Sequence, residues 1–162
     1  VETLGSSTVI CSDKTGTLTQ NKMTVQKVFF NGKLYNIDDL EKGIEIIENT
    51  NRLELKDKEL TELIYANMLC NDTKVSTDGK LTGDPTETAL VDMAFKLSFD
   101  PSIYERIPRV QEIPFDSERK LMTTVNKVND KFIVYTKGGI DELLEKCSSY
   151  QISGEIKQDT KL

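Results

Sequence analysis

The chain lacks histidine and tryptophan entirely, and it has only three cysteines among its 162 residues. The absence of histidine excludes a Ser-His-Asp or Cys-His nucleophile, an HExxH zinc site and an imidazole general base. Any catalysis must therefore use carboxylate, lysine, threonine or backbone groups. Cys11, Cys70 and Cys147 form no CxxC pair and are odd in number, which favours buried structural thiols in a reducing compartment over disulfides or zinc ligation.

Long hydrophobic runs and basic clusters are also missing. Apolar runs such as residues 8–11 and 132–135 have the length of a strand, whereas a helix that spans a bilayer needs roughly 20 apolar residues. Lysine and arginine number 21 against 27 aspartates and glutamates, a net charge of -6, which argues against a nucleic-acid partner. The chain begins at Val1 without a signal-peptide pattern, and we expect a water-soluble piece of a longer protein.

Apolar spacing and start signals predict two helices. Leucine, isoleucine and methionine at helical intervals predict a helix over Lys58–Leu69. Asp84 is a suitable N-cap, Pro85 suits the first helical position and Glu87 is placed to close a capping box, so a second helix is predicted to run to about Leu97.

Turn residues between β-rich runs predict two hairpins. The first joins Thr24–Phe30 to Lys33–Ile37 through Asn31-Gly32. The second joins Met122–Val128 to Lys131–Thr136 and follows a strand over Val110–Pro114. A short helix is predicted over Asp141–Cys147, residues 41–48 leave a loop and a short helix equally open, and the tail after Cys147 is polar and weakly patterned.

The strand predicted over Val9–Ser12 ends at Asp13, next to a glycine-containing turn. Such a position suits a nucleophilic aspartate, because exposed backbone N–H groups can receive phosphoryl oxygens, but on position alone an Asx turn that ends the strand is favoured. The full string Cys11–Met23, CSDKTGTLTQNKM, resembles the phosphorylation motif of P-type ATPases, the ion-pumping branch of the haloacid-dehalogenase-like superfamily.

Three further segments, in the order found in that family, resemble the nucleotide-domain signatures of its type II cation pumps: TGDPTETAL at 82–90, IPFDSERKLM at 113–122 and YTKGG at 135–139. This sequence departs from the family pattern in two places. The family usually has alanine at the position of Gly139 and often has Pro-Glu at the positions of Ile140-Asp141. The resemblance implies an α+β fold with an antiparallel β-sheet flanked by helices. Residues 1–22 would be the start of the phosphorylation domain and the hinge, and residues 23–162 a nucleotide-binding domain that is incomplete at its C-terminal end.

The resemblance also implies roles in ATP binding for five residues. Phe115 would stack on adenine, Lys120 and Lys137 would supply positive charge, Gly138 would let the backbone approach the nucleotide, and Glu87 would form hydrogen bonds around the adenine or the Phe115 loop. Each has a structural alternative. Glu87 is explained by helix capping, Phe115 by an ordinary core position, Lys120 by a solvated loop, and Lys137 by the end of a strand.

For the reaction, the resemblance implies that Asp13 attacks the γ-phosphate of ATP and becomes an aspartyl-phosphate, with Mg²⁺ neutralising the transferred group. Thr15 would offer its carbonyl to Mg²⁺ and its side chain to the phosphate, while Lys14 and Thr17 would shape the loop. The family's later acidic Mg²⁺ ligands do not occur before Leu162, so we expect ATP binding without turnover. The expected partners are the remaining phosphorylation, actuator and transmembrane domains of the same pump, at the cytosolic face of a membrane.

Several transported ions and two other classes of protein stay open. Calcium is favoured, because the lack of histidine excludes the heavy-metal branch and the motifs look most like calcium pumps of the bacterial and secretory-pathway kind. A sodium/potassium, proton or lipid-translocating P-type ATPase is the alternative within the family. A free-standing haloacid-dehalogenase-like phosphatase would use the same Asp13, and a regulatory or scaffold module would need neither nucleotide nor Mg²⁺.

Overall fold

The computed structural model describes residues 22–40 and 58–158, and within these ranges helices and small antiparallel sheets alternate. The predicted α+β class is confirmed. Three predicted features lie outside the described residues: Asp13 with its neighbours, the strand over Val9–Ser12, and the whole of residues 41–48, for which a loop and a short helix were left open. Residues 37–40 are helical, and the labelled elements are β1 (Lys27–Phe30), β2 (Lys33–Asn36), α1 (Lys58–Leu69), β3 (Lys74–Val75), β4 (Leu81–Thr82), α2 (Pro85–Lys96), α3 (Ile103–Arg106), β5 (Arg109–Asp116), β6 (Leu121–Val128), β7 (Lys131–Gly138), α4 (Ile140–Leu144), β8 (Tyr150–Ile152) and β9 (Glu155–Lys157).

Both predicted hairpins and both predicted main helices are confirmed. Asn31 and Gly32, with φ of 55° and 73°, form the tight turn between β1 and β2, because a two-residue hairpin turn of this type needs positive φ at both central residues. Helix α1 has the predicted bounds. Helix α2 begins at Pro85 after the N-cap Asp84, whose carboxylate accepts a hydrogen bond from the Thr86 N–H at 2.8 Å.

The largest sheet has three antiparallel strands in the order β5-β6-β7. Register pairs Met122 with Lys137, Thr124 with Tyr135 and Asn126 with Ile133, so these side chains share the face that packs on the helices. On the opposite face, apolar side chains of β5 and β7 are exposed: Ile113, Phe132 and Val134.

The core lies between this sheet, the β1–β2 hairpin and the two main helices. Fully buried Ile64 and Met68 of α1 meet Met93 and Ala94 of α2, and Met122 of β6 joins them. Helical spacing of apolar residues therefore buries one stripe of each helix against its neighbour, as the sequence predicts.

Two short hairpins and a one-turn helix were not predicted. The polar stretch after Cys70 contains the short hairpin β3–β4, and the connector between Pro101 and Pro108 contains the one-turn helix α3. The weakly patterned tail forms the hairpin β8–β9, which docks through backbone N–H groups of Ser153 and Gly154 onto side chains of Asn31 and Glu59. These contacts supply the stability that so short a hairpin lacks alone.

The prediction of buried cysteines is correct for one of the two described thiols. Cys70 is fully buried and its S–H donates to the Met122 carbonyl at 3.5 Å, and burial raises the pKa of this thiol. Cys147, predicted to be buried, is exposed instead, because it lies after the last residue of α4, which ends at Leu144. Both are free thiols.

Candidate functional site

One end of the three-stranded sheet gathers the residues predicted to bind nucleotide. Strand β5 ends at Asp116, β6 begins at Leu121 and β7 ends at Gly138, and the register pairs Asp116 with Leu121 and Leu121 with Gly138. Phe115, Lys120, Lys137 and Gly138 therefore all lie within one residue of these strand ends. Glu87, from the first turn of α2, reaches the same place through a contact with Lys137.

Lys137 and Glu87 form an ion pair whose two side chains are mostly buried, with 23% and 18% of their surfaces exposed. Lys137 points to the helix side of the sheet because it is paired with the core residue Met122. The Lys137 Nζ donates to Glu87 Oε1, and the backbone N–H of Asp72 donates to Glu87 Oε2 at 2.8 Å. Both carboxylate oxygens of Glu87 are thus used in tertiary contacts, and the predicted capping-box role of this residue is wrong.

Asn71 holds the loop that supports Glu87. This side chain is buried, and its amide Nδ2 donates to the carbonyls of Asn67 at 3.1 Å and Glu87 at 3.0 Å. Its Oδ1 accepts the Thr73 N–H at 2.8 Å. Arg109 adds hydrogen bonds to the carbonyls of Leu69 and Asn71, which ties the same loop to the sheet. The position of the Glu87 carboxylate is therefore set by a network that joins α1, α2 and β5.

The segment from Phe115 to Lys120 is an ordered turn. The carboxylate of Asp116 accepts from the N–H groups of Glu118 at 2.9 Å and Arg119 at 2.8 Å, and its carbonyl accepts from the Lys120 N–H at 2.6 Å. The Arg119 guanidinium folds back to the Leu121 carbonyl at 2.7 Å. The turn presents the Phe115 ring with 62% of its surface exposed, so the alternative of an ordinary core position for Phe115 is wrong.

Lys120 has φ of 54° and an exposed side chain that forms an ion pair with Glu142 in the first turn of α4. The hydrogen bond between them raises the pKa of Lys120 and lowers the pKa of Glu142. Because each group favours the charged form of the other, both are ionised at neutral pH.

Gly138 has a packing reason to be glycine. A Cβ at this position would lie 2.1 Å from the Lys120 carbonyl oxygen and 2.9 Å from the Leu121 Cα, and its φ is 154°. The next residue, Gly139, donates its N–H to the same Lys120 carbonyl at 3.1 Å. The close approach that requires glycine is therefore between two strand ends of this chain.

Sequence reasoning missed Asn71 and Glu142, the side chains that hold the Glu87 loop and pair with Lys120. Asn71 carried no motif signal, since its contacts come from separate elements. Glu142 had a weak signal: it lies three residues after Gly139, where the chain departs from the usual alanine. A cavity of about 340 Å³ beside the same loop, between Tyr104 and Arg109, is lined by none of the five residues predicted to bind nucleotide.

The residues predicted to carry the phosphoryl transfer, Asp13, Lys14, Thr15 and Thr17, lie outside the described ranges. Within 22–40 and 58–158, no group of three or more acidic, cysteine or histidine side chains could hold a metal ion. In those same ranges no helix is long and apolar enough to cross a membrane.

Comparison with known proteins gives the family. Residues 59–161 match the family model described as P-type ATPase, cytoplasmic domain N. The chain is similar to Calcium-transporting ATPase 1 of Lactococcus lactis, 42% identical over 161 residues, and to Calcium-transporting ATPase lmo0841 of Listeria monocytogenes, 44% identical over 163 residues. Each alignment covers 99% of this chain and 17% of the relative. It is also 40% identical over 162 residues to Cation-transporting ATPase pma1 of Synechocystis, covering 92% of this chain and 18% of that protein. This chain therefore belongs to the P-type ATPase family and carries its cytoplasmic domain N.

Proposed function

We propose that this chain is the ATP-binding part of a cation pump, with residues 1–22 beginning the phosphorylation domain and residues 23–162 forming the nucleotide-binding domain. The observation that carries this proposal is the convergence of Glu87, Phe115, Lys120, Lys137 and Gly138 on one end of the β5-β6-β7 sheet. These residues come from three separate motifs, and the first and last motifs meet although Glu87 and Lys137 are 50 residues apart.

The site offers an exposed aromatic ring and two lysine side chains, which suits a nucleotide with an aromatic base at one end and charged phosphates at the other. The open face of the Phe115 ring can stack on adenine. Lys137 is held by Glu87 at the inner edge of the site, and Lys120 lies at the open edge with an exposed ammonium group for the phosphates. A site that binds the adenine base and leaves the γ-phosphate free is suited to the transfer of that phosphate to a residue outside this domain.

In the whole pump, Asp13 would be the nucleophile that accepts the γ-phosphate. Mg²⁺ would be held by Asp13 and the Thr15 carbonyl together with ligands from later segments, and it would neutralise charge on the transferred group. Lys14 and Thr17 would shape the loop around Asp13. The domain would work at the cytosolic face of a membrane, next to the phosphorylation, actuator and transmembrane domains.

Calcium is the ion we propose. Two of the similar proteins named above are called calcium-transporting ATPases, and one is called only cation-transporting. A chimera tests whether this chain can serve as the ATP-binding part of a calcium pump: this chain replaces the matching segment of the Lactococcus lactis pump, and vesicles are assayed for ATP-driven uptake of radioactive calcium. Uptake that disappears in Asp13→Asn supports the proposal. A well-expressed chimera with no uptake and no acid-stable phosphoprotein contradicts it.

Calorimetric titration of this chain with ATP tests the binding site. We expect saturable binding that Phe115→Ala and Lys137→Ala each weaken by about ten-fold or more, since a stacking or charge-assisted contact contributes on the order of 1–3 kcal/mol. Phe132→Ala is a matched control, because Phe132 is equally exposed, at 64%, but lies at the far end of the sheet opposite Lys127. Equal losses in Phe115→Ala and Phe132→Ala would argue against a site at this end.

The same titration and an assay of phosphatase activity distinguish the other two classes of protein. A scaffold module would give no saturable binding of ATP. A free-standing phosphatase would hydrolyse a generic aryl phosphate in a reaction lost in Asp13→Asn, and we expect no such hydrolysis.

A further inference from the structure

We infer that Glu142 competes with the phosphates of the nucleotide for Lys120, so that this chain weakens its own phosphate contact and relies more on the base. This inference rests on the proposed function, since it assumes that ATP binds at the end of the β5-β6-β7 sheet. It concerns a residue that no motif includes.

The fixed backbone around Lys120 places its ammonium group where it can pair with the Glu142 carboxylate or with a phosphate of the nucleotide. The Lys120 N–H donates to Asp116 and its carbonyl accepts from Gly139, so both sides of this residue are fixed. The side chain is 60% exposed and ends in an ion pair with the Glu142 carboxylate. A negatively charged group from solution that binds the Lys120 ammonium group therefore meets the Glu142 carboxylate beside it, and the two negative charges repel each other.

Gly139 makes this arrangement possible. A Cβ built at Gly139 would lie 2.1 Å from Glu142 Oε2, which is far inside any allowed contact. An alanine at this position would therefore force the flexible end of the Glu142 side chain to shift from the position in which it pairs with Lys120. The glycine and the glutamate three residues later act as one unit, because the first leaves the space that the second fills.

The size of the effect follows from the exposure of the pair. Exposed ion pairs are weak, because water and salt screen them and ordering two long side chains costs entropy. Removing the carboxylate should thus strengthen ATP binding modestly, by about two- to five-fold. A ligand without phosphates does not use Lys120, so its affinity should stay the same.

Calorimetric titrations of this chain with ATP and with adenosine, at low and at high salt, test the inference. We expect Glu142→Gln and Gly139→Ala each to raise the affinity for ATP about three-fold at low salt and to leave the affinity for adenosine unchanged. At high salt most of the gain in ATP affinity should disappear, because salt screens the charges. Glu145→Gln is the matched control, since it removes the same charge just after the last residue of α4. A Lys120→Gln background supplies a second control, in which adding Glu142→Gln should no longer change ATP binding.

The outcomes are distinct. ATP binding by the unmodified chain with no change in Glu142→Gln overturns this inference and leaves the proposed function standing. Equal tightening by Glu142→Gln and Glu145→Gln also overturns it, because the effect would then be one of net charge. Failure of every variant to bind ATP overturns the proposed function and this inference with it.

Discussion

The ion pairs Lys137–Glu87 and Lys120–Glu142 lie at the same end of one sheet but in different surroundings. Lys137 and Glu87 are mostly buried, and Glu87 is also fixed by the Asp72 N–H. Lys120 is 60% exposed, and its partner Glu142, with 26% of its side chain exposed, is the more buried member of that pair. The same two chemical groups therefore form a fixed contact in one place and an exchangeable contact in the other.

The difference in exposure indicates that Lys137 is the lysine that is preorganised for a ligand. A side chain that is held in place before binding loses little conformational freedom when the ligand binds. Lys137 is therefore suited to contact a part of the nucleotide that stays in one position. An exposed charge on a long side chain can follow phosphates that must move on to Asp13. The comparison predicts that substitutions around Lys137 change folding, whereas those around Lys120 change only binding.

The largest effect is expected where the two regions touch, at Gly138. Gly138→Ala places a methyl group against the Lys120 carbonyl and the Leu121 backbone, and we expect the free energy of unfolding to fall by about 3 kcal/mol in urea denaturation. Gly79→Ala is the control, since its Cβ meets nothing within 4 Å and its φ of 80° costs only about 1 kcal/mol. Equal losses in the two variants would contradict the packing role of Gly138.

A smaller loss of stability is expected at Glu87. Glu87→Ala leaves Lys137 and the Asp72 N–H without this acceptor, and we expect a loss of about 2 kcal/mol in the same denaturation experiment. Asp92→Ala breaks an exposed pair with Lys96 on the same helix and should cost less than about 0.5 kcal/mol. If the two variants were equally stable, Lys137–Glu87 would be no more than a surface pair.

At Lys120 we expect no measurable change in folding. Lys120→Gln and Glu142→Gln should leave the urea midpoint where it is in the unmodified chain, because the pair lies at the surface and water screens it. A clear fall of the urea midpoint in either variant would mean that Lys120–Glu142 also stabilises the fold, which would contradict the expected difference from Lys137–Glu87.

A local effect is expected in the titration of Glu142, which NMR of its labelled carboxyl carbon can follow. Its pKa lies below the ordinary value because Lys120 donates to the carboxylate, so the pair is present above the ordinary pKa and is lost as pH falls through the folded pKa. Lys120→Gln should move the midpoint upward. An unchanged midpoint would mean that the pair does not persist in solution.

The local elements were predictable because their signals lie in adjacent residues. Apolar spacing defined α1 to its end residues, and Asp84 with Pro85 located the start of α2. The hairpins β3–β4 and β8–β9 escaped because their strands are only two or three residues long, too short for an alternating pattern. The Ser153-Gly154 turn was the one local signal available for the second of them.

In the candidate site, too, the residues could be predicted from local sequence, but their contacts could not. Motif resemblance selected Phe115, Lys120, Lys137, Gly138 and Glu87, but no local pattern could assign what the Glu87 carboxylate contacts. Helix-capping rules placed it on the N-terminus of α2, and the structure places it on Lys137 and Asp72 instead. A strong charge from another element outcompeted the local partner, which is how tertiary contacts override local preference.

Neighbouring residues were enough to predict which chemical groups the chain offers, where its main helices and hairpins lie, and which family its motifs resemble. The contacts of Glu87 with Lys137, 50 residues away, and of Glu142 with Lys120, 22 residues away, are present only in the folded chain. Both pairings depend on the register of β5, β6 and β7 and on the helices that follow or cover them. Register and docking are set by the whole core at once, so no stretch of neighbouring residues contains them.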